Sequence, residues 1–169
     1  DLQEYEKAEK YLVELRYSSQ YQNEAYYYLA VNAERKQHFE TAKAFYEFLN
    51  SNQTPLIVDA DALNILSEHE DWLKWLPKNS ILTPHPRELE RLIGSWKDDF
   101  EKIDKVKVFA KEHQLVVLIK GAYTLIINEK NVFVNSSGNQ ALATGGSGDV
   151  LSGMITSFRA QGYSAVDAS

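Results

Sequence analysis

The run Gly138-Asn139-Gln140-Ala141-Leu142-Ala143-Thr144-Gly145-Gly146-Ser147-Gly148-Asp149-Val150-Leu151-Ser152-Gly153 restricts the fold of this chain more than any other stretch. Its glycines lead straight into Val150, Leu151, Met154, Ile155 and Phe158, an apolar pattern that predicts one face of a helix ending near Ala160. Glycines just before a helix let backbone N–H groups converge, and the helix N-terminus adds partial positive charge, so the combination suits a phosphate. Asp149 inside such a pocket repels the anion that the loop attracts. That cost is offset where the carboxylate serves as a base on a hydroxyl about to meet a phosphoryl group. The plainer alternative is a glycine-rich turn capped by an aspartate.

The rest of the chain divides near residue 54. All four prolines and all eight glycines lie beyond it, and eight of the ten tyrosines lie before it. A glycine- and proline-free segment rich in Ala, Glu, Lys, Leu and Tyr predicts helix. Tyr5, Ala8, Leu12 and Leu15 align with Phe39, Ala42, Tyr46 and Leu49 at a spacing of 34 residues, the period of the tetratricopeptide repeat. Residues 1–52 are therefore expected to form an all-α, tetratricopeptide-like helical hairpin of about one and a half repeats, fewer than such arrays need to stand alone. Residues 54–169 alternate short β-branched runs with helical patterns, as an α/β domain does.

Within the second part, Pro55-Leu56-Ile57-Val58 reads as a buried strand that delivers Asp59 to its carboxyl end, where open α/β sheets bind ligands. Asp61 is expected to cap the helix of Leu63 and Leu66. Ser80-Ile81-Leu82-Thr83 is a second strand, followed by Pro84-His85-Pro86-Arg87-Glu88, with Pro86 suited to a first helical turn and Glu88 to its positive end. His85 on this rigid mount suits either a ligand contact or local turn bonding. His69 and His113 fall in charged helical patterns and read as surface residues; Trp72, Trp75 and Trp96 read as packing. A helix over roughly 98–113 precedes the fully apolar Leu115-Val116-Val117-Leu118-Ile119, which ends in Lys120-Gly121-Ala122-Tyr123-Thr124. Lys120 there either meets a phosphate or is a solvated lysine at a hairpin turn. Leu125-Ile126-Ile127 and Val132-Phe133-Val134 predict a hairpin around residues 128–131, and another helix begins near Ala165.

Composition excludes several classes. A net charge of −6 and a pI near 5.2 argue against a nucleic-acid footprint. The absence of cysteine removes disulfides, thiolate metal sites and cysteine nucleophiles. No apolar run approaches the roughly 20 residues that span a bilayer, and no signal peptide is visible, so the expected location is cytoplasmic, without membrane partners.

Four motifs stand in order: Asp59-Ala60-Asp61-Ala62-Leu63, Thr83-Pro84-His85-Pro86-Arg87-Glu88, Lys120-Gly121-Ala122-Tyr123-Thr124 and the Gly138–Gly153 block. Together they resemble the C-terminal part of ADP-dependent NAD(P)H-hydrate dehydratase, of the ribokinase-like superfamily with its three-layer α/β/α fold. The resemblance covers about residues 54–169. It implies repair of hydrated NADH or NADPH (NADHX, NADPHX) with ADP (or ATP) as phosphoryl donor, releasing NAD(P)H, AMP and phosphate. It also implies that Asp149 is the base, that His85 and Asp149 touch the hydrate, and that Lys120, Gly121, Ala122, Tyr123, Thr124 and Gly148 bind the nucleotide. Gly145, Gly146, Ser147 and Gly148 would form the phosphate loop, with Mg2+ bridging the nucleotide phosphates and no dedicated protein metal cage.

The resemblance leaves Asp59 and Asp61 without a chemical role. It further implies a homo-oligomer for the complete enzyme and an N-terminal portion whose place the repeat-like helices take here, so this chain is expected to be inactive alone. Two alternatives remain: a ribokinase-like small-molecule kinase, and a tetratricopeptide-type module that binds a peptide or protein.

Overall fold

In the computed structural model, residues 54–139 and 144–169 are described, with positions 10, 11, 13, 14, 17, 47 and 51 before them. The chain divides into two units, residues 1–54 with 71–77 and residues 55–70 with 78–169. The expected tetratricopeptide-like hairpin over 1–52 lies outside the described residues, as do residues 140–143 of the glycine block. In the first unit, Trp72 and Trp75 are buried and their rings lie 5.6 Å apart, as expected of packing residues.

The second unit is built on a sheet of five strands in chain order. These are β1 (Ile57–Val58), β2 (Ile81–Leu82), β3 (Val116–Ile119), β4 (Thr124–Ile127) and β5 (Val132–Asn135). β1, β2 and β3 run parallel, which requires helical crossovers between them. The crossovers are α1 (Asp61–Glu68), then α2 (Pro86–Ile93) and α3 (Asp99–His113). β4 and β5 return antiparallel, giving the hairpin expected around residues 128–131. The chain then runs into α4 (Ser147–Ala160) and α5 (Ala165–Ala168).

Strand alternation divides the core into two layers. On one face Ile81, Val116 and Leu118 pack with Ile155 of α4 and with Ala165 and Ala168 of α5. Val58, Leu82, Val117 and Ile127 point the other way and are fully buried, on the side where α3 meets β3 and β4. The α3 stripe Val106, Phe109 and Ala110 supplies its share of that layer at i, i+3, i+4 spacing. Two buried hydroxyls join β1 to β2: Ser80 Oγ accepts from the Leu56 N–H at 2.9 Å, and Thr83 Oγ1 donates to the Val58 carbonyl at 3.3 Å. Both satisfy polar groups that would otherwise be stranded in the core.

The structure corrects three expectations. Asp61 is not the cap of α1: it is the first helical residue, and Ala60 occupies the cap position with φ 50° and no side-chain hydrogen bond. The apolar pattern of α4 is not one buried face, because only Ile155 is buried and Leu151 packs partly against the core. Val150, Met154 and Phe158 are exposed, since α4 touches the sheet along a narrow seam. His113 is not a simple surface residue: its ring lies 4.9 Å from that of Phe109 at a tilt of 56°, and burial holds its pKa below the ordinary histidine value.

Two predictions follow from this packing. Leu118→Ala, which empties a fully enclosed site in the central strand, should cost about 2–5 kcal/mol in denaturant unfolding, whereas Val150→Ala should stay within about 0.5 kcal/mol. His113 favours its neutral form in the folded chain. Its contribution is therefore complete above the ordinary histidine pKa and is lost as pH falls through its depressed folded value. Unfolding midpoints taken across that range should fall for the parent chain and fall less for His113→Gln.

Candidate active site

Because β1, β2 and β3 are parallel, their carboxyl ends lie along one edge, and each delivers one part of a polar cluster there. β1 ends at Asp59, β2 leads through Thr83-Pro84 to His85 and α2, and β3 ends at Lys120. The Lys120 N–H donates to the Pro84 carbonyl at 2.9 Å, which ties the β3 end to the α2 entry.

Lys120 is an ion-paired residue. Its Nζ lies 2.5 Å from Asp59 Oδ1 and 3.8 Å from Glu88 Oε2, with side-chain exposures of 24% for Lys120, 15% for Asp59 and 8% for Glu88. The reading of Lys120 as a solvated lysine fails, although the segment does turn back into the antiparallel strand β4. At this degree of burial each carboxylate is attracted to the ammonium more strongly than an exposed surface pair would be. Asp59 also accepts from Ser152 Oγ at 3.2 Å through Oδ2, so α4 joins the same network. Gly148 closes over it: a Cβ there would stand 3.3 Å from Asp59 Oδ2 and 3.9 Å from Lys120 Nζ.

His85 makes the local turn bonds expected of its mount. It caps α2, with Nδ1 accepting from the N–H groups of Arg87 and Glu88 at 3.1 and 3.2 Å. Glu88 answers by accepting the His85 N–H at 2.7 Å, completing a capping box with Pro86 at the start of the helix. With Nδ1 acting as acceptor, the neutral ring carries its proton on Nε2, 3.3 Å from Glu88 Oε1. The side chain remains 45% exposed, so the ring keeps an open face toward solvent at this edge.

The glycine-led turn enters α4 through Gly146, whose φ of 85° suits a residue without a side chain. The Ser147 N–H and Oγ both donate to the Thr144 carbonyl, at 3.2 and 2.8 Å, so that N–H is engaged in the turn. The first-turn Gly148 N–H has no intrahelical acceptor. Asp149 is exposed and has no hydrogen-bond or ion-pair partner among the described residues. Upstream, Gly138 crosses the Lys120–Thr124 loop so closely that a Cβ would sit 2.3 Å from the Ala122 carbonyl oxygen. Gly121 and Tyr123 of that loop are exposed, Ala122 is half-buried, and Thr124 Oγ1 donates to the Gly121 carbonyl at 3.1 Å.

The structure thus gathers Asp59, His85, Glu88, Lys120 and Gly148 and leaves Asp149 facing solvent at the head of α4. Sequence reasoning gave Asp59 no role, gave Glu88 only a helix-end role, and did not single out Ser152. The Glu88 signal was the His-x-x-Glu spacing of a capping box; no local signal marks Ser152. A cavity of about 340 Å³ beside Asn79, Val116 and Ser164 lies at the opposite, amino ends of β2 and β3, away from these groups. Among the described residues no cluster of three or more acidic or histidine side chains is arranged to hold a metal ion, and no helix is long and apolar enough to cross a membrane.

A mixed α/β sheet with helices on both faces, and a glycine-led helix meeting the carboxyl ends of its parallel strands, defines a ribokinase-like domain. The family model for NAD(P)H-hydrate dehydratase matches residues 36–169, and the chain belongs to that family. The match begins upstream of residue 54, where the composition changes. The bifunctional NAD(P)H-hydrate repair enzyme of Moorella thermoacetica is 41% identical over 119 residues, covering 69% of this chain and 22% of that enzyme. The ADP-dependent (S)-NAD(P)H-hydrate dehydratase of Neisseria meningitidis is 41% identical over 119 residues, covering 68% of this chain and 40% of that enzyme. The chain therefore spans well under half of either relative. Among solved structures, a hypothetical protein of Streptococcus mutans superposes with a TM-score of 0.57 at 27% identity, covering 76% of this chain and 48% of that one. A ribokinase-like superfamily protein of Enterococcus faecalis gives 0.56 at 25%, covering 72% and 43%.

The capping box is open to a direct test. Removing the ring acceptor in His85→Ala should destabilise the domain by about 0.5–2 kcal/mol, read from the urea midpoint.

Proposed function

We propose that this chain carries the nucleotide- and phosphoryl-handling portion of an ADP-dependent dehydratase that repairs hydrated NADH or NADPH. The observation that carries the reading is the meeting of Lys120 and the Gly148 turn at one edge, with the exposed Asp149 one residue further along α4. In this reading the Lys120–Thr124 loop and Gly148 take the nucleotide, and the first-turn N–H groups of α4 face its terminal phosphate. His85 lies against the hydrate.

Hydroxide is a poor leaving group. Asp149 accepts the proton of the ring hydroxyl as its oxygen attacks the terminal phosphorus of ADP, and AMP departs with the electrons of the broken P–O bond. The phosphorylated ring then loses phosphate, which leaves with the electrons of its C–O bond, and the neighbouring ring carbon gives up a proton to solvent, so that the carbon–carbon double bond re-forms and NAD(P)H results. Bound with the nucleotide, magnesium would supply charge neutralisation at its phosphates. Asp59 and Glu88 are already engaged by Lys120, so neither offers it a ready carboxylate.

Calorimetric titration of the purified chain with ADP and magnesium tests the assignment. Saturable binding is expected, and its absence would sink the nucleotide-site reading. Lys120→Gln should weaken the affinity about tenfold or more, because it removes the site's ammonium and strands two carboxylates. Asp149→Asn should bind ADP roughly fivefold more tightly, since two charges at contact repel by ~1 kcal/mol even in water. No NADH should form from the hydrate and ADP with this chain alone. Recovery of the reduced-nicotinamide absorbance would show that these residues suffice for turnover.

A further inference from the structure

We propose that Asp59 is the positioning residue of the site. Its carboxylate holds the first two turns of α4 in register with the end of β3. The inference rests on the nucleotide reading for its purpose, while the geometry stands by itself.

Asp59 joins the end of β3 to α4 at this edge. One oxygen holds Lys120 at 2.5 Å, and the other accepts from Ser152 at 3.2 Å. Ser152 lies one helical turn beyond Gly148, on the same side of α4. Fixing Ser152 therefore fixes Gly148, and it fixes the direction in which Asp149 leaves the helix.

The fit is tight as well as charged. A Cβ on Gly148 would stand 3.3 Å from Asp59 Oδ2, so the helix passes the carboxylate closely enough that a side chain there would force a small shift. The peptide after Asp59 is held in an unusual conformation, with Ala60 at φ 50° and ψ −123°. A non-glycine residue persists there only where its surroundings over-determine it. The Asp59 and Ala60 carbonyls are tied into α1, accepting from the N–H groups of Ala62 and Leu63 at 3.2 and 3.0 Å. Strand, turn and helix together aim one carboxylate. Glu88, the second acid near Lys120, is committed to the α2 cap and reaches the ammonium only at 3.8 Å. It does not replace Asp59 in the link to α4.

A residue that merely neutralised Lys120 would tolerate glutamate in its place. A positioning residue would not, because one more methylene pushes the carboxylate into Gly148. Asp59→Glu therefore separates charge from position, and Asp59→Asn removes the charge at nearly constant shape. Ser152→Ala cuts only the link to the helix and keeps the domain folded if the core variants behave as expected.

Amide hydrogen exchange of the full chain, compared between residues 150–152, the first hydrogen-bonded amides of α4, and the β3 amides, reads the register directly. All three variants should exchange about tenfold faster at 150–152, the loss expected of a hydrogen bond to a charged group, with β3 unchanged. Parental exchange at 150–152 in Ser152→Ala, or in Asp59→Glu, would overturn the proposal. Titration with ADP forms the second arm. Asp59→Glu and Ser152→Ala should lose affinity, whereas Leu118→Ala, destabilised away from the site, should keep it while folded. Affinity equal to that of the parent in both site variants would overturn the positioning role. If the parent chain itself takes no ADP, the nucleotide reading fails alone and the exchange result still decides whether Asp59 holds α4.

Discussion

Parallel pairing of three short strands is the constraint on which the rest of the domain depends. β1, β2 and β3 end at one edge because their crossovers return the chain to the same starting side. Without that geometry Asp59 and Lys120, 61 residues apart, would have no reason to meet. Only two residues of β1 and two of β2 join the ladder, so backbone pairing alone is thin. The buried hydroxyls of Ser80 and Thr83 and the enclosed side chains of Val58, Ile81 and Leu82 supplement it. The ion pair is a consequence of this frame and also a fastening laid across its end.

The same edge explains how the helices are oriented. α2 starts at His85 with a reciprocal cap, and α4 starts at a glycine turn that leaves first-turn N–H groups without intrahelical partners. One helix N-terminus is thus closed by its own side chains, and the other is entered through a turn of small residues. Glu88 serves both ends of this arrangement: it caps α2 and lies within reach of the Lys120 ammonium. The antiparallel β4–β5 hairpin completes the sheet on the far side, and Gly138 brings the returning chain against Ala122.

Much of this was legible in the sequence, and the reasons differ by element. β3 declared itself because a strand covered on both faces must be apolar throughout, as residues 115–119 are. The start of α2 was marked by Pro86 and Glu88, whose preferences are set by unsatisfied N–H groups at a helix end. Misreadings arose where local pattern and tertiary placement part company. Val150, Met154 and Phe158 keep helical spacing with Leu151 and Ile155, yet periodicity does not reveal how wide a seam the sheet offers. Asp61 has the chemistry of a cap, but the chain turns one residue earlier, at Ala60. The Lys120 partners were invisible for a simpler reason: three segments far apart in the chain had to be placed before any distance between them existed.

The charge balance of the edge accounts for its chemistry. Lys120 faces two carboxylates, and Asp149 adds a third acid nearby, so the side chains alone do not favour an anion. In the proposed reading a phosphate would be attracted by backbone: first-turn N–H groups without intrahelical acceptors and the partial positive charge at the head of α4, carried by small residues. An ammonium already held by carboxylates has less charge to offer, but its position is fixed. Fixed donors cost no reorganisation when charge shifts during phosphoryl transfer, which is where preorganised electrostatics act most strongly. Among the described acids of this edge, Asp149 is the one left exposed while Asp59 and Glu88 are engaged by Lys120, and the proposed base role needs a carboxylate that is free to meet a ligand.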